Sequence, residues 1–139
     1  DIMRKYYLFI IKTDYYKNYK NNSFVLYNTL RNLYVLDRKN FSYGVSLYNS
    51  ICQLISKNLL TNYIKRKYHH KRINSKIIKL ISSKETTAIQ INKSCIVVLT
   101  NSNLPEVFKT FYIYNKKIFV CDFYNEDYFW ISDQIKKIE

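Results

Sequence analysis

Glycine and proline are almost absent: Gly44 and Pro105 are the only ones among 139 residues. A phosphate-cradling loop needs several glycines, so that class of nucleotide site is excluded. Turns must come from Asn, Asp and Ser, which tolerate left-handed backbone and bond their own main chain. Cysteine is scarce too. Cys52, Cys95 and Cys121 are odd in number and far apart, which fits reduced thiols in a core, not a disulfide framework. No apolar run approaches the roughly 20 residues of a membrane-spanning helix, and no membrane partner is expected. Acidic residues are few, 10 Asp and Glu against 23 Lys and Arg, for a net charge of +13.

The chain is rich in other things. The hydrophobic fraction is 47% and the aromatic fraction 17%, too much for a disordered chain and enough for a core. Usage leans toward Lys, Asn, Ile, Tyr and Phe, the residues of A/T-rich codons. That is the genome bias of an organelle or an A/T-rich parasite; a mitochondrial location is expected, with a plastid-type organelle as the alternative. The charge is unevenly placed. Residues 1–80 hold 16 Lys and Arg against 3 Asp and Glu, whereas residues 81–139 hold 7 of each. Excess charge of one sign repels itself until a polyanion neutralises it, and nucleic acid is the commonest such partner.

The pattern suggests an α+β chain of two small α/β lobes behind an extension at residues 1–22. The apolar stretch Tyr6 to Ile11 in that extension could add a strand or pack on a neighbour. The first lobe, 23–92, reads α-β-α-β-β-β. Its helix over 24–36 has Ser23 as a plausible cap. A turn at Asp37 to Asn40, a short strand at Phe41 to Tyr43 and a helix from Val45 or Ser46 to near Lys57-Asn58 follow. Strands are then expected from Leu60 to Ile64, running into Lys65-Arg66-Lys67, and at Ile77 to Ile81 and Thr86 to Ile91. The second lobe, 93–139, reads β-α-β-β-α: a strand from Ser94 to Leu99, a short helix around Pro105 ending near Lys109, strands Phe111 to Tyr114 and Lys117 to Phe123, and a helix from Trp130 to Ile138. The seam falls near Asn92-Lys93.

Catalytic constellations are thin, and no enzyme is expected. Asp122, Glu126 and Asp127 are close in sequence, but nothing sets them in the contrasting environments that an acid–base pair needs. His69-His70 would point to opposite faces of a strand, and no Cys or His lies at zinc-ligand spacing from them, so no metal is expected. No cofactor or small-molecule substrate is implied. The positive signal is cationic residues interleaved with aromatics. Arg31, Arg38, Lys39, Lys65, Arg66, Lys67, Lys71 and Arg72 fall at helix ends and connectors, with Tyr63 and Tyr68 among them. Such mixed surfaces suit irregular RNA.

Several stretches resemble, in order, the S-eight family of small-subunit ribosomal proteins. Asn28-Thr29-Leu30-Arg31-Asn32 is similar to its opening helix, and Arg38-Lys39 with Phe41 to Tyr43 to its basic turn and first strand. Ser46-Leu47 with Ile51, Leu54 and Ile55 follows the spacing of its second helix. Leu59 to Ile64 takes the place of its exit into the next strand, without the glycine usual there. Cys95-Ile96-Val97-Val98, then Leu104-Pro105-Glu106-Val107, resemble its strand and Leu-Pro-x-Val helix, with Ile118 to Cys121 as the strand after. The resemblance implies a non-catalytic protein that binds the central domain of small-subunit ribosomal RNA beside neighbouring ribosomal proteins. It implies RNA contacts at Arg31, Asn32, Arg38 and Lys39, and a remnant of the C-terminal contact at Ser132. Asp122 to Glu126 stand where the family has a Ser-Thr-Ser-Lys-Gly loop. Acid there would repel phosphate and shift the contact toward the first lobe. Two rivals differ in class. A maturase-like or endonuclease-like fragment would need positioned carboxylates for metal, and a basic subunit of another organellar complex would meet acidic protein instead of RNA.

Overall fold

The computed structural model describes residues 3–35, 41–72 and 76–138. Among these, six helices surround one antiparallel sheet of seven strands. The chain order is β1 (Arg4–Ile10), α1 (Thr13–Tyr19), α2 (Ser23–Tyr34), α3 (Phe41–Ile51), α4 (Lys57–Lys67), β2 (His70–Arg72), β3 (Ile77–Ile81), β4 (Thr86–Ile91), β5 (Ile96–Thr100), α5 (Val107–Tyr114), β6 (Ile118–Asp122), β7 (Asp127–Trp130) and α6 (Ile131–Ile138). The fold is α+β, and the sheet order is β2-β3-β4-β5-β1-β6-β7.

The largest correction concerns residues 1–22. Instead of an extension, they supply the strand on which the sheet turns. β1 pairs with β5 on one side and β6 on the other. Tyr6, Leu8 and Ile10 are fully buried on one face, and Phe9 and Ile11 on the other. A strand covered on both faces reads as a continuous apolar run, as Tyr6 to Ile11 does. The polar stretch Lys12 to Asn22 contains α1. The sheet also crosses Asn92-Lys93 without a break, because β4 and β5 pair directly over that turn.

Three expected strands are helical, and the side-chain period explains each. Leu60 and Ile64, both fully buried, lie four residues apart in α4, while Asn62 between them is exposed. A strand would have put all three on one face, whereas a helix separates Asn62 from the other two. In α3, Gly44 and Ile51 are buried with Leu47 and Tyr48 half-buried between them, a helical stripe whose first turn takes in Phe41 to Tyr43. In α5, Val107, Phe108 and Phe111 are buried together, so the helix runs on through the expected strand Phe111 to Tyr114. Asp127 to Trp130, read partly as loop and partly as helix, forms β7 and pairs with β6. Helix 24–36 is present as Ser23–Tyr34, with Asn22 and not Ser23 at the cap position. The expected turn at Asp37 to Asn40 lies outside the described residues. The hairpin of β3 and β4, and the strands β5 and β6, fall where the sequence places them.

Two cores follow from this topology. Tyr6, Leu8 and Ile10 meet Ile89, Val98 and Val120 from the sheet and Leu60, Ile64, Phe108 and Phe111 from α4 and α5. On the opposite face, Phe9 and Ile11 pack with Phe119, Cys121 and Trp130 under α1, α2 and α3.

Candidate nucleic-acid interface

The last turn of α4 carries Lys65, Arg66 and Lys67. The helix stops at Tyr68, whose backbone is extended. The Tyr68 hydroxyl shares a 2.5 Å hydrogen bond with the Thr110 hydroxyl, which ties the corner to α5. The chain then runs out along edge strand β2. Arg66, Lys67, His69, His70 and Lys71 are exposed there, and Lys65 is partly so. A shallow groove is lined by residues 65 to 70. Lys67 Nζ lies 5.9 Å from the centre of the Tyr63 ring, and the Tyr68 carbonyl holds His70 through Nδ1 at 3.2 Å.

Cations at a helix C-terminus favour the helix dipole, which accounts for one or two of these residues. It does not account for all of them, because adjacent like charges repel. Among the described residues the ion pairs join Arg4 to Asp122 and Asp127, and Arg31 to Glu126. None reaches Lys65, Arg66, Lys67 or Lys71. On the flank toward α5 stand Glu85 and Glu106, with the Glu106 amide donating to the Glu85 carboxylate at 3.0 Å.

The expected contact residues separate into two groups. Lys65, Arg66 and Lys67 end α4, and Lys71 stands on β2, the edge strand that follows, on the face turned away from α4. Arg72 belongs to the same strand, although its side chain lies outside the described residues, as do Arg38 and Lys39 altogether. Arg31 and Asn32 are exposed on α2, which packs on β7 at the opposite edge. Ser132, partly exposed, sits at that edge too, in α6. Six strand spacings part the two edges, about 29 Å across a flat sheet.

At the β7 edge the acids are largely occupied. Arg4 donates from Nε and Nη2 to one oxygen of Asp122 at 3.1 and 2.9 Å, and from Nη2 to Asp127 at 3.1 Å. Asn125 adds hydrogen bonds from its amide and side chain to Asp122 at 3.1 and 2.7 Å. Burial pushes the Asp122 carboxyl up, but the Asn125 and Arg4 hydrogen bonds outweigh it and hold the group below its usual range. Arg31 lies 3.7 Å from Glu126. The acidic turn is thus a staple between β1 and the β6–β7 hairpin, and it draws Arg31 toward itself.

The three thiols fit the core role: Cys52 and Cys121 are buried and Cys95 half-buried, all unpaired. Among the described residues no cluster of three His, Cys, Asp or Glu is placed to hold a metal, and no helix is long and apolar enough to cross a membrane. Sequence reading missed Lys5 and Lys79, which join this electropositive region through the sheet. The period-two alternation of Ile77-Ile78-Lys79-Leu80-Ile81 could have set Lys79 on the face opposite buried Ile78 and Leu80. No family model matches the chain, and a search of curated proteins finds no relative.

Proposed function

We propose that this chain is a non-catalytic RNA-binding protein that seats the RNA backbone on the corner formed by the end of α4 and strand β2. The observation that carries this reading is the grouping of Lys65, Arg66, Lys67 and Lys71 at one sheet edge, with no carboxylate partner among the described residues, while the hairpin acids stand at the other edge. The mechanism is phosphate neutralisation with release of counterions, helped by Tyr63 and the two histidines as base-contacting groups.

The setting we propose is the small subunit of an organellar ribosome, most simply a mitochondrial one, with ribosomal RNA and neighbouring ribosomal proteins as partners. Its support is the sequence resemblance. Its C-terminal segments fall in or beside strand β5, the entry into α5 and strand β6. Its N-terminal part is helical at Phe41 to Tyr43 and Leu60 to Ile64, where the resemblance implies strands. The RNA reading rests on the charged corner and does not depend on the ribosomal setting.

Titration of a labelled RNA oligonucleotide over a range of salt tests the RNA reading. Replacing Lys65, Arg66 and Lys67 with Ala should flatten the log–log salt dependence by about 2 for a single strand. An unchanged slope would remove the corner from the binding site. Sedimentation of the tagged protein from its source cells tests the setting: it should travel with small ribosomal subunits, and sedimentation elsewhere would contradict the ribosomal assignment.

A further inference from the structure

Among the described residues, helices α4, α5 and α6 cover one face of the sheet, and the other is covered over only part of its width. There α1, α2 and α3 lie on β1, β6 and β7, and that core draws no side chain from β2, β3 or β4. Strand β4 records the difference residue by residue. Thr87, Ile89 and Ile91 are buried, whereas Thr86, Ala88 and Gln90, pointing the other way, stay partly open.

The register sets three lysines in a row across this open half. Lys71 pairs with Lys79, Lys79 with Ala88, Ala88 with Leu99, and Leu99 with Lys5. Directly paired residues share a face. The row therefore reads Lys71, Lys79, Ala88, Leu99, Lys5 from the β2 edge to β1, about 19 Å at the usual strand spacing. None of the five strands contains an Asp or Glu. Lys71 and Lys79 stand directly opposite each other, a like-charge pair that destabilises a sheet unless an anion lies over it. Lys71 lies on the edge strand into which α4 runs, so the row ends at the same sheet edge as Lys65, Arg66 and Lys67, with α4 on the other face.

We infer that this open half-sheet is a platform for a single RNA strand entering from the α4–β2 corner. The inference rests on the RNA-binding reading above and names the form of RNA. Charge complementarity requires an anionic occupant, and a second copy of the chain would bring its own lysines against these. A duplex meets a flat face mainly with phosphates along one line. A single strand can follow the lysine row with its backbone and lay unpaired bases on Ala88 and Leu99. Lys5, at the β1 end of the row, has its Nζ 5.5 Å from the centre of the Tyr7 ring, which packs on Tyr34 and Phe123 at the border of the covered half.

The test is the double variant Lys5→Gln with Lys79→Gln, its fold checked by circular dichroism, titrated with an unstructured oligouridine and with a duplex RNA. The salt slope for oligouridine should fall by about 1.4, two contacts' worth for a single strand, while duplex binding changes less. If the double variant keeps the wild-type slope while the Lys65, Arg66 and Lys67 substitutions still lower theirs, the platform is wrong and the RNA reading stands. Equal losses for duplex and single strand would overturn the single-strand assignment. A wild-type protein that binds neither RNA would overturn both.

Discussion

Replacing Leu8 with Ala is the most discriminating test of the fold, because the two roles open to residues 1–22 predict very different costs. Leu8 is fully buried. It pairs with Ile96 of β5 and Val120 of β6, and its side chain enters the core beneath α4 and α5. Truncating a buried leucine costs about 2–5 kcal/mol, more where the surroundings cannot close over the cavity. Strands flank this position on both sides, so collapse is restricted and about 3–4 kcal/mol is expected. With a urea dependence of about 2 kcal/mol per molar, the unfolding midpoint should fall by about 1.5–2 M. Leu59→Ala, at a site 67% exposed on α4, is the control and should shift stability by less than about 0.5 kcal/mol. Tryptophan fluorescence in a urea series suits the measurement, since Trp130 is buried beside Phe119. If Leu8→Ala were as mild as the control, β1 would not be the central strand.

Three further outcomes follow from local chemistry. Asp122 is held below its usual carboxyl value of 3.8, so its stabilising contribution is present above that value and is lost as the pH falls through the lower folded one. Acid unfolding followed by circular dichroism should therefore steepen below about pH 4. Arg4→Ala leaves the Asp122 carboxylate buried with only Asn125, at a cost of about 2–3 kcal/mol, and should move the acid transition to higher pH. Burial pushes the Cys52 thiol up to about 12 and raises Cys121 as well. A thiol reagent at pH 8 should therefore label neither residue in the native protein and both in urea.

The legible parts of this fold are those whose signals are local. The hairpin of β3 and β4 shows itself by alternation in Ile77 to Ile81 and Thr86 to Ile91, and α2 by Leu26 and Leu30 one turn apart. The role of β1 is not local: its partners lie about a hundred residues away, at Ile96–Thr100 and Ile118–Asp122. The continuous apolar run Tyr6 to Ile11 suits a strand buried on both faces, but nothing near it in sequence names its partners. Helices α3, α4 and α5 are hidden by composition. Tyr, Phe, Ile and Thr favour strands, yet packing of Ile51, Leu60, Ile64 and Phe111 on the sheet overrides that preference. At the candidate site, Lys65, Arg66, Lys67 and Lys71 are visible as a run of charge. The separation of Arg31, Asn32 and Ser132 from them depends on strand order, and the row through Lys79 and Lys5 depends on register. The tie between Arg4 and Asp122 spans 118 positions, so no spacing in the sequence signals it.

The central claim is that RNA is held at the α4–β2 corner. Its most direct test is ultraviolet crosslinking of the protein to RNA in its source cells, followed by mass spectrometry of the crosslinked peptides. The account predicts crosslinks within residues 63–71, extending to peptides that contain Lys79 or Lys5. Crosslinks confined to the β7 edge, around Arg31, Asn32 and Ser132, or none at all, would contradict it.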